Sequence, residues 1–88
     1  MRLIGKHKLQ PLLNGCSDTA IWVLAWADEI KNSVWLSEND IKDYYPSVAL
    51  DNSGVFIFQV EPRVSAIKVR FCFVNKIACI SQVIVSEE

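Results

Sequence analysis

The sequence predicts an α+β domain in which N-terminal helices pack on one face of a small antiparallel β-sheet. Residues 19–34 carry apolar side chains at helical spacing, whereas residues 55–85 contain three runs of β-branched and aromatic residues separated by turn-forming residues. The pattern thus changes from a helical to a strand period within one short chain. Because 88 residues suffice for one modest core, we assign residues 1–88 to a single domain.

The N-terminal half begins with a short strand and continues into helices. Residues 3–4 predict the strand and residues 6–13 a short helix or helical turn. A longer helix is predicted over residues 19–33, with Ser17 or Asp18 as its N-cap. Its buried face consists of apolar residues spaced three and four apart: Val23, Trp26, Ala27, Ile30 and Val34.

A second helix is predicted from Glu38 to about Tyr44. Ser37 and Asp40 approximate a capping box at its start, and the helix must end before Pro46. The tryptophans at positions 22, 26 and 35 are expected to pack in the core rather than to stack on nucleic-acid bases.

Three strands are predicted at residues 55–60, 64–74 and 77–85, joined by tight turns into an antiparallel meander. Two-residue turns would set a register that divides the side chains between two faces. The face under the helices would carry Phe56, Phe58, Val60, Ile67, Val69, Phe71, Phe73, Ala78 and Ile80. The opposite face would carry Ile57, Gln59, Ala66, Lys68, Arg70, Cys72, Cys79, Ser81, Val83 and Val85.

The last hairpin makes a specific prediction about the cysteines. A two-residue turn at residues 75–76 would place Cys72 directly opposite Cys79. The chain has three cysteines without zinc-type spacing, so we expect reduced, buried or half-buried thiols and neither a disulfide framework nor a metal site. No cofactor is expected.

Composition and charge limit the class of protein. The chain is 51% hydrophobic and 22% charged, which is ordinary for a folded domain. No segment has the apolar length of a membrane span, and residues 1–13 lack the centre of a signal peptide, so we expect a cytoplasmic protein with no membrane partner. Residues 1–16 hold three cations and no acid, residues 17–51 seven acids and two lysines, and residues 52–86 four cations and one acid. The net charge of -1 therefore conceals basic ends around an acidic middle.

Residues 35–47, WLSENDIKDYYPS, resemble the W-x-S-x-x-D-I-K-x-x-Y-P-S stretch of the HigB-like toxins in the RelE superfamily. The opening MRLIG is similar to the start of that family, and Val55–Val60 stands where the family has an apolar strand ending in F-N-V or F-N-I. The resemblance spans nearly the whole chain. It implies a RelE-like fold, an open sheet face that meets mRNA on the ribosome, mRNA interferase activity, and a cognate antitoxin of the small helix-turn-helix type.

Two positions depart from the family pattern where its function lies. The family's Tyr-Arg-Leu step aligns with Ser65, Ala66 and Ile67, so the arginine is absent. The family's T-H-x-E-Y end aligns with residues 85–88, which contain no histidine. Lys68 lies one step along the same strand face from Ala66 and is expected to replace part of the missing arginine.

Cleavage of RNA by its own 2′-hydroxyl requires proton transfer and cations that stabilise charge on the phosphate. Lys68 and Arg70 share a strand face, so they are the candidate catalytic and RNA-binding pair. The alternative is that they only keep an exposed strand soluble. Arg63 follows a proline at a turn and is a further RNA-binding candidate, against the alternative of a solvated loop residue.

Other titratable groups offer less specific signals. His7 is the single histidine and lies between two lysines. Glu87 and Glu88 are acids at the end of the sequence, where side chains are usually solvated. Each is a candidate for proton transfer, and each has a solvated alternative.

Two functions remain open from the sequence. The first is a toxin of a type II toxin–antitoxin system that acts as a ribosome-associated endoribonuclease. The second is a catalytically degenerate RelE-fold protein that binds a ribosome, an antitoxin or a second copy of itself. The fold and the family resemblance favour the first function, whereas the missing arginine and histidine and the pI of about 5.8 favour the second. The toxin is the function that we expect, because members of this superfamily vary in their catalytic residues. The apolar residues Ile57, Val83 and Val85 around the two cations predict a partner interface on the open face.

Overall fold

A computed structural model of the chain describes residues 1–14, 17–60 and 65–85. Within these residues three α-helices and a 3-10 turn accompany one five-stranded sheet, so the predicted α+β class is confirmed. Arg63, Cys16, Glu87 and Glu88 lie outside the described residues, and the predictions made for them stay predictions. None of the described helices is both long and apolar enough to cross a membrane.

The helices follow the first strand and precede the rest of the sheet. Their bounds are Lys6–Leu9 for the 3-10 turn, Gln10–Leu13 for α1, Ser17–Asn32 for α2 and Glu38–Tyr44 for α3. The strands are β1 (Arg2–Ile4), β2 (Ala49–Leu50), β3 (Val55–Val60), β4 (Ser65–Cys72) and β5 (Ile77–Ile84). The two longer helices and the last three strands were therefore predicted to within a few residues.

The sheet has the strand order β1-β5-β4-β3-β2, which puts β4 at its centre. Strands β3 to β5 form the predicted antiparallel meander, and the unpredicted β2 adds an antiparallel strand beside β3. Strand β1 pairs with β5 in parallel, so the sheet is mixed. This parallel pairing places the first residues of the chain beside β5. The N-terminal ammonium of Met1 then donates hydrogen bonds to the carbonyls of Lys31 (3.0 Å) and Ser33 (3.1 Å), at the end of α2.

Helix α2 buries one face against the sheet, as its spacing predicted. Val23, Trp26, Ala27 and Ile30 are buried, whereas Val34 is 86% exposed. The inclusion of Val34 in the buried face was wrong because α2 ends at Asn32, after which the helical period no longer applies.

Helix α3 is held at its start by a hydrogen bond to Asp40, but the expected capping box does not form, because the donor is Leu36, the residue before the N-cap Ser37. The carboxylate of Asp40 accepts a hydrogen bond from the backbone N–H of Leu36 at 2.9 Å. The Ser37 side chain makes no capping hydrogen bond. Thus the acid, rather than the hydroxyl, fixes the connection between α2 and α3.

The core lies between the helices and one face of the sheet. All nine residues predicted for this face lie in it or pack against it; Phe71 and Phe73 are the partly buried ones. Trp26 of α2 meets Phe58 of β3 edge to face, with ring centroids 5.4 Å apart. Trp26 and Trp35 are buried and Trp22 packs against them partly exposed, which agrees with their predicted role in packing.

The hairpin between β4 and β5 differs from the expected one. Cys72 pairs with Ile77, and Cys79 pairs with Arg70, so the predicted Cys72–Cys79 pairing was wrong. A two-residue turn of the favoured type needs positive φ at both central residues, and here Lys76 adopts it, at 58°, while Asn75 does not. Both thiols are exposed rather than buried, because a register shift of two residues keeps them on the open face.

A β-bulge in β5 changes which side chains face the core. Val69 pairs with Ile80 and Lys68 with Gln82, so Ser81 is an extra residue on β5. The ammonium of Lys8 donates hydrogen bonds to the carbonyls of Ile80 (3.2 Å) and Ser81 (3.3 Å). Lys8 thereby supplies donors to the edge of β5 beyond the end of β1, where no strand pairs with it.

Candidate functional site

Lys68 and Arg70 lie side by side on the open face of the central strand. In register, Lys68 stands between Ile57 of β3 and Gln82 of β5, and Arg70 stands between Val55 and Cys79. None of the five described strands contains an aspartate or a glutamate. The predicted shared face of the two cations is confirmed, and no carboxylate of a strand opposes them.

The turn between β2 and β3 approaches both cations from one edge of the sheet. The guanidinium of Arg70 donates a hydrogen bond to the backbone carbonyl of Ser53 at 3.0 Å. Lys68 lies close enough to the carboxylate of Asp51 to help lower its pKa. The two side chains are therefore directed toward the same turn, and Arg70 keeps further N–H donors for a ligand.

Asp51 is a residue whose role in this turn was not anticipated. Its Oδ1 accepts three hydrogen bonds of 2.9 Å, from the backbone N–H of Ser53, the hydroxyl of Ser53 and the backbone N–H of Val55. The bond from Val55 is the main cause of its lowered pKa, with smaller contributions from Ser53 and Lys68. The turn-forming sequence at residues 51–54 was the available signal, but it indicated only a turn.

Ala66, the position at which the HigB-like sequence pattern has an arginine, lies on this same face. Ala66 pairs with Gln59 on one side and Ile84 on the other, and it is buried. Lys68 is the next residue along this face of β4. Lys68 and Ala66 thus share one face of β4, and the alanine itself contributes no charge there.

The apolar residues predicted to surround the cations are only partly on the open face. Ile57 is there and half-buried, and Val85, beyond the end of β5, is 42% exposed. Val83 instead pairs with buried Ile67 and packs against the core, so its placement on the open face was wrong. The bulge at Ser81 exchanges the faces, and Ile84 replaces Val83 on the open side at 40% exposure.

A second group of residues lies on the helical side of the molecule. The hydroxyl of Tyr45 donates a hydrogen bond to the carboxylate of Glu29, linking the end of α3 to α2. Burial is the main cause that raises the pKa of Tyr45 far above its ordinary value, followed by this hydrogen bond and the charge of Glu29. The phenol therefore stays protonated and neutral throughout the physiological range.

Cavities flank the Glu29–Tyr45 pair on two sides. A cavity of about 280 Å³ is lined by Trp22, Ala25 and Trp26 together with this pair. A larger one, of about 450 Å³, is also lined by Glu29 and extends toward Asp28, Trp35 and Tyr44. The sequence offered no signal for them because residues 44–45, which complete their walls, are distant in sequence from α2.

His7, the candidate for proton transfer that lies within the described residues, does not join the cation pair. His7 is exposed in the 3-10 turn, and no contact connects it with Lys68 or Arg70 in the described part of the chain. Among the described residues, no group of three or more His, Cys, Asp or Glu side chains could hold a metal ion. Lys68 and Arg70 together therefore offer two cations for a phosphate, with one ionised carboxylate, Asp51, beside them.

Comparison with known proteins adds no family assignment: neither a protein-family model nor a curated protein matches this chain.

Proposed function

We propose that this protein is the toxin component of a type II toxin–antitoxin system, an endoribonuclease that acts on mRNA at the ribosome in the cytoplasm. The observation that carries the proposal is the position of Lys68 and Arg70 together on the open face of the central strand. The resemblance of residues 35–47 to the HigB-like stretch supplies the functional class. A cognate antitoxin of the helix-turn-helix type would be the partner that restrains it.

The distribution of charge between the two layers supports an approach of RNA to the sheet. The open face carries Arg2, Lys68 and Arg70, whereas the acidic side chains of α2 and α3 lie in the helical layer on the other side. Phosphate attraction depends on local potential rather than on net charge. Those acids are Asp18, Asp28, Glu29, Glu38, Asp40 and Asp43.

In this proposal Lys68 and Arg70 bind the phosphate at the cleaved bond and stabilise the charge that develops on it. Asp51 is a weak base, because its lowered pKa reflects stabilisation of the carboxylate. The described side chains thus favour charge stabilisation over proton transfer. Slow cleavage in the absence of the ribosome follows from that imbalance.

A second function, binding without catalysis, is favoured by a different observation. Arg70 already donates to the Ser53 carbonyl, and the open face also exposes Ile4 and Ile84, each at 40%. An apolar surface around partly engaged cations suits a protein partner: the antitoxin, a ribosomal protein or a second copy in a homodimer.

The two functions separate in an RNA-binding experiment with a charge-matched control. Fluorescence anisotropy with a short single-stranded RNA should give an association constant whose logarithm falls linearly with the logarithm of the salt concentration. Lys68→Ala with Arg70→Ala should reduce that slope by about 1.4, the loss of two phosphate contacts. The control, Lys31→Ala with Lys42→Ala, removes equal charge from exposed positions on the helices and should leave the slope nearly unchanged. Equal losses in both variants would refute the assignment of the site.

Activity is tested in cells. Induced expression without an antitoxin should slow growth and shorten mRNA, and the variant at positions 68 and 70 should relieve both effects. Full growth arrest by that variant would contradict the site. Harmless expression of the unmutated chain, with intact mRNA, would favour the binding function.

A further inference from the structure

We propose that the groove between α2 and the end of α3 binds an organic cation, an alkylammonium or guanidinium group, between the partly exposed side chain of Trp22 and the carboxylate of Glu29. This site lies on the helical side of the molecule. It is independent of the phosphate site proposed for the open sheet face.

The walls of the groove come from one helix face and from a tyrosine opposite it. Trp22, Ala25, Trp26 and Glu29 are spaced three and four apart along α2, so they share one face of that helix. Tyr45 follows α3 and closes the cavity of about 280 Å³ that these residues line. Trp26 and Tyr45 are in turn fixed by edge-to-face contacts with a common ring, Phe58, at centroid distances of 5.4 and 5.2 Å.

The electrostatics of this groove select a positive charge. Neither its lining nor that of the adjoining cavity of about 450 Å³ contains a lysine, arginine or histidine, and the two linings hold Asp28 and Glu29. The contact of Glu29 is with the neutral hydroxyl of Tyr45. A half-buried carboxylate in a lining without cations leaves a negative potential, and the partly exposed indole of Trp22 adds its own attraction for cations.

The surroundings favour a cation that carries an alkyl chain over a bare inorganic ion. Ile21 of α2 is 66% exposed and lies one helical turn before the groove residue Ala25, so the two share one side of the helix. Methylene groups attached to the bound cation can therefore contact apolar surface. This chemistry belongs to free diamines and equally to lysine or arginine side chains of a polypeptide.

Binding can be measured on the full chain through the indole ¹H–¹⁵N resonances of its tryptophans. Titration with putrescine, Nα-acetyl-lysine methylamide and Nα-acetyl-arginine methylamide should shift the Trp22 signal saturably, whereas n-butanol, a neutral analogue, should not. At roughly 10 mM a probe with a Kd of about 1 mM would occupy most of the sites. An absence of saturable shifts at that concentration, or equal shifts with n-butanol, would overturn the proposal.

Matched variants test the named groups. Glu29→Gln removes the charge but keeps an acceptor for Tyr45, and it should weaken binding about tenfold. Trp22→Leu, at a half-buried position, should weaken binding about fivefold even if the first variant fails to fold. Asp18→Asn removes the same charge from the first turn of α2, outside both cavities, and should change binding less than about twofold. If Asp18→Asn weakened binding as much as Glu29→Gln, general electrostatic attraction to the acidic helix would explain the binding, and the proposed site would be refuted.

The source of the ligand follows from the order of affinities. Tighter binding of either amino-acid derivative than of putrescine supports a side chain of a protein partner. Tighter binding of putrescine supports a free amine. Both outcomes uphold the cation site and distinguish what occupies it.

Discussion

The substitution Gly5→Ala measures how closely the N-terminal segment packs against β5 at its bulge. The φ of Gly5 is 92°, and a Cβ added there would lie 3.2 Å from the carbonyl oxygen of Ile80 and 3.3 Å from the Ile80 Cβ. The left-handed backbone costs a non-glycine residue about 1–2 kcal/mol. The contact adds about 1–2 kcal/mol, because Ile80 is fully buried and Lys8 holds its carbonyl at 3.2 Å. Gly5→Ala should therefore lower the free energy of unfolding by about 2–4 kcal/mol.

Gly54 provides a control with a similar backbone and no contact. Its φ is 87°, and a Cβ there would meet nothing within 4 Å. Gly54→Ala should cost only the backbone contribution, about 1–2 kcal/mol. Urea denaturation followed by tryptophan fluorescence gives both values. Equal losses for the two variants would show that β5 moves aside at no cost, and would refute the idea of a rigid fit at the bulge.

Two further predictions concern Val83 and Tyr45. Val83→Asp should lower the free energy of unfolding by about 2 kcal/mol, because Val83 packs against the core. Val85→Asp should change it by about 0.5 kcal/mol or less, because Val85 is exposed. Similar values for the two variants in urea denaturation would contradict the exchange of faces at the bulge. Tyr45→Phe should cost about 1.5 kcal/mol near neutral pH by removing the hydrogen bond to Glu29. Since folding raises the pKa of Tyr45, the contribution of Tyr45 to stability is complete below the ordinary value of 10.0 and falls as the pH rises above it. At about pH 11 the free energies of unfolding of the unmutated protein and of Tyr45→Phe should therefore differ less than at neutral pH. A difference that does not change with pH would argue against the raised pKa.

Much of the architecture could be predicted because it depends on local periodicity. The spacing of Val23, Trp26 and Ile30 places one face of α2 in the core whatever the helix packs against. Alternation along β4 likewise puts Lys68 and Arg70 on one side, and this holds despite the wrong hairpin length, because the register moved by two residues. The cation pair of the candidate site was therefore visible in the sequence.

The remaining features depend on contacts between residues far apart in the chain. Lys8 donates a hydrogen bond to the carbonyl of Ile80, which is 72 residues away and lies at the bulge. Beyond this bulge Val83 faces the core instead of the open face. The parallel pairing of β1 with β5 and the closure of the Glu29 groove by Tyr45 are equally non-local. Periodicity determined which residues of each segment share a side. Only tertiary contacts decided where the strand period is interrupted and which segments meet, because those outcomes depend on backbone donors, acceptors and side chains that different segments supply to one another.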